Sequence, residues 1–316
     1  MIVVSGEALI DVFAGEPADD VFACRAVAGG SPFNLAIGLA RLGRSVAFLG
    51  GLSTDPFGRH LRSRLAAEGV RLDLAADRPE PTTLSVVSTD AGGHPAYAFY
   101  GEGAADRALR PGDVPHAFGP DVTCLTIGSF SLAVEPIASS LEGLARREAG
   151  RRAIALDPNL RPRVVGDVAA WRPRFDRFLA LSTIVKASDE DIAHLHGPEA
   201  DPDAVAAGWL DRGPSLVLLT RGGRGATAWH RTGRVDRAAA RTTVVDTVGA
   251  GDSFQAALLA HLEARGSLSP AGVASLDGAA VAEALATAVT AAGIACGRRG
   301  ADPPDAAALA AALSAQ

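Results

Sequence analysis

Aromatic residues make up only 5% of this 316-residue chain, and cysteine occurs three times. Hydrophobic content is nonetheless 48%, so a core of this size must be filled mostly by Ala, Val and Leu. Cys24, Cys124 and Cys296 stand far apart with no CxxC pair. That excludes a zinc pattern and a disulfide framework and fits a reducing cytoplasm. Formal net charge is −6 and no basic block occurs. A dedicated nucleic-acid binder is thereby excluded, which leaves room only for a local cationic pocket that takes phosphates. The start, "MIVVSGEALID", has no cationic leader and reads as a first strand. One stretch, 279–297, is membrane-like, but it carries Glu283, two glycines and much alanine. It reads as a closely packed buried helix, and no membrane partner is expected. Also missing are the GxxxxGK[ST] phosphate loop, the HRD and DFG pair of protein kinases, and the third glycine of GxGxxG. His194 and His196 lack a third ligand nearby and read as surface histidines.

What is present is alternation. "IVVSG", "VAFLG", "CLTIGS", "AIALDPN", "TIVKAS" and "LVLLTRGG" are short apolar runs, as strands covered on both faces should be. Helix-length segments lie between them. "NLAIGLARLG" puts Leu35, Leu39 and Leu42 on one face, and "PFGRHLRSRLAAEGV" does the same with Leu61 and Leu65. The pattern predicts a single α/β domain over 1–316, with a mostly parallel sheet between two helix layers. Two segments break the rhythm, at about 12–28 and 82–103. The second holds two β-rich runs around "DAGG", and together they predict a small β-sheet lid. The Ala-rich end after Asp305 reads as frayed.

"DTVGAGDSF", residues 246–254, carries the chemistry. Phe254, Leu258 and Leu262 recur at helical spacing, so a helix opens at the turn. A helix start offers unpaired N–H groups and partial positive charge, and glycines let an anion approach them. An acid beside an anion pocket is costly, and it makes sense if Asp252 takes a proton from a nucleophile that attacks the anion. In isolation GxGD is more often a turn with an Asp N-cap. Two further Gly-rich elements change the weighting: "AGGSPFNLAIGLARLG" (28–43), which contains Asn34, and "LTRGGRGA" (219–226).

With these three elements, and with "GEALID", "GSFSL", "DPNLRP" and "KASDED" in order between or before them, the chain resembles the ribokinase, or PfkB, family of sugar and nucleoside kinases, in its fructokinase-like branch. The resemblance implies a three-layer α/β/α ribokinase-like fold with a lid, and transfer of the γ-phosphate of ATP to a hydroxyl of a small sugar. It makes Asp252 the base and the amides of Gly249, Ala250 and Gly251 the anion hole. It gives Asp11, Gly30 and Asn34 to the sugar, and Arg161 to phosphates or an acidic substrate. Ser188, which stands where ribokinases have Asn, falls with Thr220, Gly222 and Gly225 in the nucleotide site. Magnesium would be ordered through water by Asp191. Asp246 is the candidate ligand of a monovalent cation such as K⁺, although Pro304 stands where potassium-activated members often have serine.

Two departures bear on substrate. Ser31 stands where ribokinase-like members carry lysine, and Gly101 where many fructokinases and 2-keto-3-deoxygluconate kinases carry arginine. A pocket without those cations points to a neutral hexose such as fructose. The alternatives are 2-keto-3-deoxygluconate, a nucleoside of the adenosine type, and an inactive sugar-binding regulatory protein. The resemblance also implies a homodimer through lid strands.

Overall fold

In the computed structural model, which describes residues 1–18, 20–89 and 95–315, alternate residues of the central strands feed two different cores. The strands are β1 (Ile2–Ser5), β4 (Val46–Leu49), β9 (Cys124–Gly128), β10 (Ala153–Asp157), β11 (Ile184–Ser188) and β12 (Leu216–Thr220), which run parallel. Ile2 and Val4 face one side and Val3 the other; Leu216 and Leu218 face one side, Val217 and Leu219 the other. This is the period of two that a strand buried on both faces requires. One face is covered by α1 (Ser31–Arg41), α2 (Pro56–Ala67), α8 (Ala250–Ala264), α9 (Pro270–Ala274), α10 (Gly278–Cys296) and α11 (Ala306–Ser314). The other is covered by α3 (Ile137–Glu148), α4 (Pro162–Val165), α5 (Val168–Leu181), α6 (Asp189–His196) and α7 (Pro202–Gly208). The result is the three-layer arrangement that the alternation predicts.

Three local readings change. "MIVVSGEALID" is two strands: Gly6, with φ 138°, breaks the chain after β1, and β2 (Leu9–Ala18) enters a different sheet. The large sheet is mixed, because β13 (Ala226–His230) and β14 (Gly233–Arg237) add as antiparallel strands at the β12 edge. The Ala-rich tail is not frayed: the Asp305 carboxylate accepts from Ala308 N at 2.8 Å and caps α11.

The small sheet has the order β3 (Val21–Gly29), β2, β7 (Leu84–Thr89), β8 (Pro95–Tyr100). These strands fall on the two segments that break the βα rhythm; the "DAGG" turn itself lies outside the described residues. A two-stranded pair, β5 (Gly51–Ser53) with β6 (Ala76–Arg78), completes the strands. The membrane-like stretch is α10, long and apolar enough by composition to span a bilayer, with Val281, Leu285 and Ala288 buried in the core beside α8.

Helices α1 and α8 pack closely enough that a Cβ on Gly38 would lie 2.9 Å from the Ala256 Cβ. That approach brings the two helix starts together. Gly38→Val is therefore expected to lower stability by about 1–3 kcal/mol through overpacking, and to weaken sugar turnover because α1 is pushed away from α8. Urea unfolding and steady-state kinetics on the same preparation check both; an unperturbed midpoint would refute the close packing.

Candidate active site

Asp252 sits in the first turn of α8 and is held by the first turn of α1. The Ser31 hydroxyl donates to Asp252 Oδ1 at 2.6 Å, and Asn34 Nδ2 donates to Oδ2 at 2.9 Å. Ser31, notable in the sequence only as a missing lysine, is thus a direct partner of the proposed base. Burial raises the Asp252 pKa; the bonds from Ser31 and Asn34 and the charges of Lys186 and Arg161 pull against it, and the balance stays above the ordinary aspartate value. Gly249 precedes α8 in the left-handed conformation, φ 76°. A side chain there would also meet Ala301 at 2.8–2.9 Å. The N–H groups of Gly251 and Asp252 belong to the first turn, which has no intrahelical acceptors. Ala250 N instead donates a long 3.3 Å bond to Thr247 O.

Asp252 lines a cavity of about 830 Å³ between the large sheet and the small one. The same wall contains Asp11, Gly30, Ser31, Asn34 and Arg161, which brings together the three residues assigned to the sugar and the arginine assigned to phosphates or an acidic substrate. Asp11, on β2, lies with its Oδ2 against Gly29, where a Cβ would come within 2.3 Å. Burial lifts its pKa, opposed by the Ser85 hydroxyl and Arg161. Among the described residues two that are not glycine have left-handed backbone, Ser129 (φ 58°) and Asn159 (φ 36°), and both line this cavity. Strain of that kind concentrates where geometry serves a site. Gly101 does not leave a void. The Arg107 guanidinium fills the adjoining space, 2.4 Å from where a Cβ would stand, and lies over the Phe130 ring. A cation is therefore present beside Gly101, supplied from another position.

A second cleft of about 690 Å³ adjoins the first. Ser188 and Thr220 end β11 and β12 and line it, together with Gly222 and Gly225. Gly225, φ 95°, would drive a Cβ into the Arg237 carbonyl at 2.1 Å. Val244, Phe254, Val289 and Ala292 give the cleft an apolar end suited to a flat base. Asp191 also lines it, deeply buried. Its Oδ1 accepts from Leu160 N at 2.7 Å, and its Oδ2 accepts from Ser188 N at 2.8 Å and Ser188 Oγ at 2.7 Å. A carboxylate has about four lone-pair sites, so one remains. Asp246 stands apart from both cavities; it accepts from Val248 N at 3.1 Å and Gly300 N at 2.9 Å, and so ties the 300 loop to the anion-hole turn. Burial alone would raise its pKa, but these backbone donors hold it below the ordinary value.

The cavities share Asn159, Leu160, Arg161, Lys186, Glu190, His194, Thr247 and Gly251. Lys186 is buried and paired with Asp157 at 2.7 Å. Burial works against its charge, but Asp157, with Asp191 and Asp252 beyond, holds its pKa above the usual lysine value. Asp157 itself is pushed by burial to about 6 against the pull of Lys186. A Cβ on Gly251 would stand 3.0 Å from Lys186 Nζ, so glycine lets the cation reach the anion-hole backbone. Lys186 and Glu7 are the two site residues that sequence reasoning missed. Lys186 had a signal, as a lone charge inside the apolar run "TIVKAS". Glu7 lines the sugar-side cavity, 2% exposed. Burial, foremost, pushes its pKa up to about 8, with Ser129 donating to it and Asp106 and Arg161 acting in opposite senses.

The raised Glu7 pKa fixes a sign. The folded state keeps this proton to about pH 8, whereas the unfolded chain loses it near the ordinary 4.5. Between those values the folded state binds more protons, so this group makes stability fall as pH rises, by up to about 1.4 kcal/mol per unit. The Tm advantage of Glu7→Gln over the unmodified protein should therefore widen from pH 5 to pH 8. A gap that stays constant across that window would mean that Glu7 ionises normally.

Residues 1–308 match the pfkB family of carbohydrate kinases. A fructokinase of Rhizobium leguminosarum bv. trifolii is 41% identical over 277 residues, 88% of this chain and 84% of that protein. The crystal structure of a fructokinase from Xylella fastidiosa with bound ATP superposes with TM-score 0.90 at 28% identity, covering 100% of this chain and 98% of that one. A fructokinase from Vibrio cholerae O395, in its fructose-, ADP- and calcium-bound form, superposes at 0.83 with 27% identity over 99% and 98% of the two chains; a double mutant of that protein is described with fructose, ADP and potassium. With this match over nearly its whole length, the chain belongs to the pfkB family of carbohydrate kinases.

Proposed function

We propose that this protein is an ATP-dependent kinase of a neutral hexose, with fructose the first candidate. One observation carries the reading: Asp252, raised in basicity and fixed by Ser31 and Asn34, stands where a sugar-sized cavity meets a nucleotide-sized cleft. The likeness to fructokinases supports the choice of sugar. Asp11 and Asn34 offer directional hydrogen bonds to hydroxyls and orient one of them toward Asp252. Asp252 then removes that hydroxyl's proton as the oxygen attacks. Lys186, Arg161 and the N–H groups about Gly251 neutralise charge on the phosphoryl group in flight. Thr220, Gly222 and Gly225 hold the nucleotide end.

Magnesium, when bound with ATP, neutralises phosphate charge and orients the phosphates. The free acceptor site on Asp191 suits one of its waters. For K⁺ the supporting feature is Asp246, bonded to the 300 loop beside the anion-hole turn. The small sheet acts as a lid that limits ATP hydrolysis by excluding water. Val21 and Tyr100, each 65% exposed on its outer strands, suit a homodimer formed through lid strands, which sedimentation velocity tests. A cytoplasmic setting fits the free thiols Cys24, Cys124 and Cys296.

A second reading has one observation in its favour: Arg161 in the cavity wall and Arg107 beside Gly101 could serve a carboxylate, as in 2-keto-3-deoxygluconate. Competing fructose, ribose, adenosine, 2-keto-3-deoxygluconate and fructose 1- and 6-phosphates, read as kcat/KM with ATP and magnesium, decides between them. Fructose is expected to lead, and a tenfold preference for an acidic sugar, about 1.4 kcal/mol, would overturn the neutral-hexose reading.

Asp252→Asn should fold and bind ATP yet lose about 10²–10⁴ in kcat, roughly 3–5 kcal/mol of barrier. Unchanged turnover in the folded variant would refute Asp252 as base. Lys186→Met leaves Asp157 buried and unpaired and should cost about 3–5 kcal/mol of stability. Replacing both, Lys186→Met with Asp157→Leu, should restore most of that stability but not kcat. Recovery of both would reduce the pair to a structural role.

A further inference from the structure

We infer that Glu7 is a sugar-binding residue: its carboxyl, in the wall of the larger cavity, hydrogen-bonds one hydroxyl of the hexose and helps to set which neutral sugars are accepted. This rests on the hexose-kinase reading and adds a contact to it. Glu7 lies in the Gly6–Ala8 link between β1 and β2, the strands of the two different sheets. It shares the cavity wall with Asp11, Gly30 and Asn34. Its exposure is 2%, yet Oε2 has no hydrogen-bond partner among the described residues. Most buried carboxyl oxygens find a hydrogen-bond partner, and this one does not. Glu7 leaves polar capacity unspent beside the space where a polyol would sit.

Its neighbours hold it there. A Cβ on Gly30 would stand 3.0 Å from the Glu7 carbonyl oxygen and 3.4 Å from its Cγ, so glycine at 30 lets the start of α1 close over this side chain. The groups that face it are Ser129, Asp106 and Arg161. The Asp106 carboxyl is itself buried and bonded to Thr83 Oγ1 at 2.7 Å. With its proton kept to about pH 8, Glu7 presents one donor and one acceptor, the pair that a single hydroxyl completes. A site that hydrogen-bonds a hydroxyl rejects the analogue lacking it far more strongly than an apolar wall does.

The test uses the full chain with fructose and the set of monodeoxyfructoses, each lacking one hydroxyl, with KM for sugar and for ATP measured separately. Glu7→Met, which keeps the volume and removes the polar atoms, should raise KM for fructose at least about tenfold and leave KM for ATP within about twofold. It should also erase the discrimination against one deoxy analogue and leave the others intact. Glu7→Gln should alter discrimination against that same analogue only, by at least about threefold, and it decides alone if Glu7→Met does not fold. Equal discrimination patterns in variant and unmodified protein, or a uniform loss against every analogue, would overturn the assignment. Should the unmodified protein prefer another sugar, that outcome falls on the fructose reading, and the deoxy series of the preferred sugar tests Glu7 in its place.

Discussion

The buried ion pair between Lys186 and Asp157 is the constraint around which the site is arranged. Asp157 is the last residue of β10, and Lys186 lies near the end of the neighbouring parallel strand β11. Taking two charges out of water costs about as much as their attraction returns, so such a pair adds little net stability over an apolar one. Its worth is positional. It keeps a full positive charge at the carboxyl edge of the sheet, where an open α/β fold gathers its ligands. Gly251 must then be glycine to admit Nζ at 3.0 Å, and α8 must begin there. Asp252 follows in the same turn, so the proposed base and the Lys186 cation are placed by one helix start.

That placement would be self-defeating if Asp252 were merely drawn to Lys186, since a base pinned by a cation loses basicity. Its strongest contacts are instead neutral: Ser31 at 2.6 Å and Asn34 at 2.9 Å, both from α1. Burial lifts the pKa more than these donors lower it. The carboxylate is thereby more basic than an aspartate in water, which suits proton abstraction. The close approach of α1 to α8 at Gly38 and Ala256 is what makes two neutral donors available. A packing detail in the helix layer thereby sets the chemistry at the cavity floor.

Much of this was legible in the sequence, and for local reasons. Strand runs apolar nearly throughout announced a sheet covered on both sides, and the Gly-rich helix starts pointed to Asp252 and Asn34 as candidates. What stayed hidden depended on partners distant in the chain. Lys186 went unassigned because its partner Asp157 is 29 residues away. Glu7 went unassigned because nothing local reveals that Gly6 passes the chain from one sheet to another. Gly101 and Ser31 were read as cations removed. At Gly101 the structure supplies Arg107 from six residues along, and at Ser31 it gives the hydroxyl a new partner. The antiparallel edge of β13 and β14 went unpredicted because "GRVDR" is largely exposed and polar, without the apolar signature of the inner strands.

The wall of the larger cavity carries Asp11, Asp252 and the protonated Glu7, while Lys186 and Arg161 line both this cavity and the adjoining cleft. A neutral polyol entering the acidic wall loses no charge–charge energy and gains hydrogen bonds. A phosphate or carboxylate placed deep in that wall meets buried acids whose own ionisation is already disfavoured by burial. At the junction the sign reverses. In the proposed reaction a hydroxyl directed there by Asp252 meets Lys186 and Arg161, whose charges suit a phosphoryl group. On this reading specificity and catalysis share one gradient: the wall that favours an uncharged acceptor is continuous with the edge that stabilises the transferring group. The product then bears its new charge against Lys186 and Arg161, facing away from Glu7 and Asp11.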